Sequence, residues 1–260
     1  MINVLRSEWI KLRTVRMNWV LGIIAVAFPL IVTLLTAYFR GDDTGPLNLL
    51  TTDDLASVLT GTAVVSALLC GVIAAASITS EFGFGTIRPT FAATPRRGQV
   101  VVGKAVIAVV TSITIGAVVM AVGWFGAMAI ANGRGADLRL SDSPTAVPAM
   151  VGLVVLCALM SLAGYALGMI TRSTPTAISI FIVWPLIAEG LIGALIGLIV
   201  SNQDVVQWMP FQAGIRMAIV GGDNGEVGGG PSRLTSGLYF GLVSLALTAL
   251  GSWSVNRRDA

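Results

Sequence analysis

Six stretches of mostly apolar residues, near positions 18–39, 55–79, 100–131, 147–171, 176–200 and 235–255, constrain this chain more than any other feature. A helix needs about 20 such residues to cross the hydrocarbon core of a bilayer. Only a helix or a closed barrel satisfies its backbone N–H and C=O groups there without water. With 55% of residues hydrophobic and 11% charged, little polar surface remains for a separate aqueous domain. The expectation is an all-α integral membrane protein in one transmembrane domain, residues 1–260, with six transmembrane helices.

The gaps between the stretches differ in charge. An inside amino terminus assigns Arg6, Lys11, Arg13, Arg16, Arg88, Arg96, Arg97, Lys104, Arg172, Arg257 and Arg258 to the cytoplasmic face, eleven of the sixteen basic residues. Of the acidic residues that face receives only Glu8, Glu81 and Asp259, while nine fall on the other face. A basic excess in short inside loops sets orientation, so a multi-pass protein of the cell membrane with both termini cytoplasmic is expected. Anionic lipid headgroups are the natural counter-charge; no basic patch interleaved with aromatics points to nucleic acid. The first stretch has a long basic leader and no clean cleavage site after it, which favours an uncleaved span.

Ahead of the first span, Ile2, Leu5, Trp9 and Leu12 recur at spacings of three and four, with Lys11, Arg13 and Arg16 among the polar positions. This pattern predicts an amphipathic helix over residues 1–17 lying in the cytoplasmic interface. The gap at 201–235 starts with a broken apolar segment containing Trp208, Met209, Pro210 and Phe211 and ends in a glycine-rich run. It is too interrupted to span and reads as short outer re-entrant helices and a loop. Small residues four apart at Gly164/Gly168, Gly193/Gly197 and Gly237/Gly241 would let helices approach closely.

Histidine is absent, which removes histidine acid/base catalysis, Ser-His-Asp triads and histidine metal sites. No G-x-x-x-x-G-K-[ST] segment occurs, so the chain has no P-loop for ATP. Neither a catalytic nor a metal site is expected. Cys70 and Cys157 fall inside spans and read as small buried residues. Glu189, about 20 Å into the fifth stretch at 1.5 Å per residue, is an ionisable group near the midplane. It is a candidate to line a pathway or hold a cation or proton. Alternatively it is hydrogen-bonded to a neighbouring helix, with Ser161, Thr171 and Thr176 available.

The most distinctive inside gap reads SITSEFGFGTIRPTFAATPRRGQVVVGK, residues 77–104. Glu81 stands at the end of a span beside pliable Gly83 and Gly85, where a carboxylate needs an incoming basic mate or Arg88 from its own loop. Phe82, Phe84 and Phe91 need lipid or a partner to cover them.

E-x-x-x-G-T-I from Glu81, T-P-R-R from Thr94 and a lysine at 104 resemble the permease subunits of ATP-binding-cassette type-2 exporters. The opening S-E-W-x-K-L-R-T-x-R, residues 7–16, resembles the same group in actinobacterial-type sequences. The resemblance implies a connecting helix at the amino terminus and a cytoplasmic coupling element over 80–98. Glu81, Gly85, Thr86, Pro95, Arg96 and Arg97 match the family pattern, and Arg88 lies among them. It further implies a separate ABC ATPase subunit that binds ATP and Mg, no cofactor in this chain, and a second permease copy or paralogue. Two other classes fit the spans: a stand-alone secondary transporter using Glu189, and a non-transporting membrane scaffold.

Overall fold

The computed structural model describes residues 2–40, 51–86, 97–200, 208–221 and 231–258. Among these residues there are helices, turns and no strand. In chain order the helices are α1 (Ile2–Thr14), α2 (Arg16–Arg40), α3 (Thr52–Gly83), α4 (Arg97–Gly133), α5 (Ala146–Thr171) and α6 (Thr174–Val183). A π-turn at Trp184–Ala188 leads into α7 (Glu189–Val200), followed by α8 (Pro210–Ala218) and α9 (Arg233–Arg258). Taking α6 through α7 as one, six helices are long and apolar enough to cross a membrane, and they coincide with the six stretches of the sequence.

The second and fourth spans, α3 and α5, form the centre of the bundle: 61% and 50% of their apolar windows are buried, against 22% for each of the other four. Glycine permits that arrangement. A Cβ on Gly164 would collide with the Gly71 carbonyl, and one on Gly168 would lie 3.0 Å from the Ala75 carbonyl oxygen. The backbones of α3 and α5 therefore touch, as small residues allow in helix pairs where apolar side chains gain nothing by leaving lipid. Of the other four-residue pairs, Gly237 presses on Met217, while Gly241 meets Leu159 only at ordinary van der Waals distance.

Polar ties across the bundle follow from broken helix hydrogen bonds. Pro29 inside α2 has no N–H, so the Ala25 carbonyl one turn earlier loses its partner. The buried Ser66 hydroxyl of α3 donates to that carbonyl at 2.6 Å. Thr51 and Asp54 close a reciprocal capping box at the start of α3. At the same end of the bundle Asp53 accepts from the Ser143 and Thr145 hydroxyls, and the Arg134 guanidinium lies 4.4 Å from the centre of the Tyr38 ring. The opposite end gathers Glu8, Lys11, Glu81, Lys104 and Arg172 around a smaller core of Ile78, Val100, Tyr165, Met169 and Val255.

Gly164→Leu forces apart the central pair. Its unfolding midpoint in detergent should fall by an amount equivalent to ~1–3 kcal/mol, the range for overpacked cores. A comparable substitution at Gly22, which has nothing within 4 Å, should move it little.

Candidate functional site

At 32 residues, α3 is about 48 Å long, well beyond what a bilayer core requires, so its last turns can carry charge. Glu81 sits in the final turn. The helix stops because Gly85 takes a left-handed conformation, φ 68°, which glycine adopts without penalty. The Phe84 N–H still bonds to the Ser80 carbonyl at 2.9 Å, and the Thr86 hydroxyl donates to the Glu81 carbonyl at 3.4 Å. The glycine of the E-x-x-x-G-T-I motif is thus the C-terminal stop that points the chain into the segment beyond.

Three helices converge on Glu81. From α1, Lys11 donates to Glu8 Oε1 at 2.8 Å and to Glu81 Oε1 at 2.6 Å. From the second turn of α4, the Lys104 ammonium lies 2.7 Å from Glu8 Oε1 and also donates to Glu81 Oε1. Two ammonium groups and two carboxylates alternate around a square with no net formal charge. Lys104 is 3% exposed and each glutamate 6%, so these are desolvated charges, whereas the Lys11 side chain is about half exposed. Partial burial would lower the Lys11 pKa, but hydrogen bonds to Glu8 and Glu81 and their negative charge outweigh it and raise it above the ordinary lysine value. Its tie to α3 is complete at neutral pH and is lost only as pH rises through that raised value.

The neighbourhood is braced. The buried Tyr165 hydroxyl of α5 donates to the Val101 carbonyl of α4 at 3.0 Å. Arg172, the left-handed C-cap of α5, places its guanidinium 5.1 Å from the centre of the Phe82 ring and donates from Nη2 to the Ser254 carbonyl of α9 at 3.4 Å. Thr174 at the start of α6 donates to Thr79 of α3 at 2.8 Å. Five helices therefore brace the exit of α3.

The expected site residues separate in space. Glu81 and Lys11 meet in the cluster, and Gly85 and Thr86 adjoin it. Arg97 opens α4, whereas Arg88, Pro95 and Arg96 lie outside the described residues. The charges on Glu81 come from Lys11 and Lys104. Trp9, Arg13 and Arg16 are exposed, with the Arg13 carbonyl accepting from the Trp19 indole at 2.8 Å. Glu8 and Lys104 were not singled out by sequence reasoning as site residues. The available signal was that Lys104 falls inside an apolar stretch, where a cation requires a counter-ion.

Glu189 is 1% exposed and holds a different position. Pro185 at the π-turn shifts the register, and the Glu189 N–H bonds to the Trp184 carbonyl five residues back. The Pro185 carbonyl is left open and accepts from the Gln212 side chain at 2.9 Å. In return the Glu189 carboxylate accepts the Phe211 N–H at 3.1 Å, the Gln212 N–H at 3.0 Å and the Trp184 indole N–H at 3.2 Å. These amides are orphan donors of the first turn of α8, which begins with Pro210, a residue with no N–H of its own to satisfy. Glu189 caps another helix, and Ser161, Thr171 and Thr176 bond elsewhere. Phe211 is further held between Phe181 and Phe240, with ring centroids at 5.9 and 5.1 Å.

Two substitution sets test this geometry. Glu81→Leu or Lys104→Met alone strands a buried charge and should lower stability by about 3–5 kcal/mol, while the double variant leaves Glu8 and Lys11 balanced and should lose much less. A double-mutant cycle of detergent unfolding measures the difference. Glu189→Gln lacks one acceptor oxygen and presents an N–H to donors. It should destabilise by ~1–3 kcal/mol and speed hydrogen exchange at the Phe211 and Gln212 amides selectively.

No curated protein sequence matches this chain. A sequence family described as "ABC-2 family transporter protein" does, over residues 4–188, a stretch that takes in most of α1, the Glu81 exit and Lys104 and ends one residue before Glu189. With most of its length matched, and with six helices able to cross a membrane, the chain is a multi-pass membrane protein of the ABC-2 transporter family.

Proposed function

We propose that this chain is the permease subunit of an ATP-binding-cassette exporter, forming the translocation pathway with a second permease copy or paralogue. A separate ATPase subunit supplies the energy and binds ATP and Mg. The observation that carries this reading is the Glu8–Lys11–Glu81–Lys104 cluster. It fastens the amino-terminal helix to both helices that flank residues 87–96, so a push delivered to that segment reaches α1, α3 and α4 together. Coupling by rocking between two states needs such a unit, because a compliant joint would dissipate the movement.

In this reading residues 80–98 are the coupling element. Arg88, Pro95, Arg96 and Arg97 belong to its docking face, and Glu81, Gly85 and Thr86 to its root. The end of the bundle that gathers the cluster faces the cytoplasm and both termini lie there, in keeping with its basic excess. The α1 helix rests in the interface, with exposed Trp9 and Ile10 toward lipid. Helix α8 dips from the outer side to the depth of Glu189, whose position ten residues before Ile199 corresponds to about 15 Å. The permease performs no covalent chemistry.

Co-purification with a candidate ABC ATPase subunit from the same cells tests the reading. Arg96→Glu should abolish association. Lys104→Met/Glu81→Leu should leave association intact but uncouple ATP turnover from efflux. Unchanged association and efflux in both variants, with orientation verified, would overturn the proposal, as would efflux that persists in ATP-depleted vesicles on a proton gradient alone.

A further inference from the structure

A cavity of about 800 Å³ lies within the single chain, between α1, the first turn of α2, and the facing halves of α3 and α4. The charge cluster lines one end of the cavity. Its walls are mainly aliphatic, with Leu12, Ile73, Ile107 and Ile115 among them, and it ends at Cys70. The wall hydroxyls of Ser80 and Thr111 are spent on backbone carbonyls of their own helices, at 3.0 and 2.8 Å. Beyond Cys70 and Ile115 the helices close: a Cβ on Gly123 of α4 would lie 2.6 Å from a Leu59 methyl of α3. The cavity is therefore blind, not a passage across the membrane.

We infer that this cavity binds one amphipathic molecule, its apolar tail along α3 and α4 and a zwitterionic head at the Glu8–Lys11–Glu81–Lys104 end. Three observations converge on that class. From Glu81 to Cys70 is eleven residues of helix, about 16 Å, the depth of one leaflet of a ~30 Å hydrocarbon core. The volume lies in the range of ~300–1,000 Å³ typical of small-molecule sites with apolar walls and a few polar groups at one end. Largely aliphatic walls, with the Ser80 and Thr111 hydroxyls already bonded, offer water few partners, whereas a hydrocarbon tail restores the dispersion contacts that an empty cavity forfeits. The head follows from charge balance. Beyond its internal pairs the cluster leaves a half-exposed Lys11 ammonium and a buried Glu81 Oε2 that has no partner, one cation and one anionic acceptor, which together match a head carrying both charges.

A bilayer phospholipid and an amphipathic cargo share this chemistry. The site goes beyond the permease reading and stands without it, since it is built from one chain and needs no ATPase.

The test uses the full chain in nanodiscs and a lysophosphatidylcholine carrying a diazirine in its tail. The expected result is saturable labelling of peptides within 70–84 and 104–115, competed by unlabelled lysophosphatidylcholine. Affinity should weaken at least about tenfold in Ala108→Phe and remain unchanged in Val118→Phe on the exposed face of α4. Ala108→Leu, a milder filling, provides the same comparison if the phenylalanine variant does not fold, and competition requires no variant. Unsaturable labelling, or labelling equal in filled and unfilled proteins, overturns the site. Equal competition by lysophosphatidylglycerol and an alkyltrimethylammonium overturns the zwitterionic head. Mass spectrometry of lipid extracted from the purified chain identifies a resident phospholipid, whereas stimulation of partner ATP turnover by added amphipath identifies a cargo. Loss of ATPase association with labelling intact would refute the permease reading alone.

Discussion

Where no water is available, a polar group that loses its local partner must be met by another part of the chain, and such meetings hold this bundle together. Pro29 frees the Ala25 carbonyl and Ser66 takes it. The π-turn at Pro185 frees a second carbonyl and Gln212 takes it, while Glu189 answers with the amides at the start of α8. At one end of the bundle Glu81 cannot remain charged beside the hydrocarbon core unless cations come to it, and two arrive from different helices. Apolar packing alone would leave the helices free to rotate against lipid of equal hydrophobicity; these ties specify which faces meet.

The two ends of the molecule are consequently built in different ways. One end relies on short-range ties among loops and helix caps, Thr51 with Asp54 and Asp53 with Ser143 and Thr145. The other concentrates four charges, a stacked Arg172–Phe82 pair and a buried tyrosine around the exit of α3. In the proposed reading, rigid polar contacts are concentrated where an ATPase partner would push, with simpler loop ties at the other end, the asymmetry expected of a lever. Glycine contributes at two levels: Gly71 and Gly164 bring α3 and α5 into backbone contact, and Gly85 ends α3 where the proposed coupling segment leaves it.

Much of the fold was legible in the amino-acid order because bilayer thickness imposes a length on each span and the absence of water imposes composition. All six spans appear within a few residues of where apolar runs place them, and the proline at 210 marks the start of α8. Less of the candidate site was legible. Glu81 stood out as a carboxylate at a span boundary, but Glu8 looked like one more polar residue of an amphipathic leader, and Lys104 like a charge that fixes topology. Their distances in sequence from Glu81, 73 and 23 residues, carry no local periodicity that would reveal the pairing.

By itself the sequence determined class and motif: six apolar helices because no other structure satisfies backbone polarity in lipid, no histidine chemistry because there is no histidine, and a glycine-punctuated exit after Glu81. Tertiary structure alone decided the partners. Glu81 selects Lys11 and Lys104 because the contact of α3 with α5 and the docking of α1 on α4 carry those ammonium groups to one oxygen. Glu189 becomes the cap of α8 because the register shift at Pro185 and the packing of Phe211 between two other phenylalanines bring a helix start to its carboxylate. Such pairings depend on helix crossing and rotation, which follow from contacts summed over the whole bundle rather than from any segment read alone.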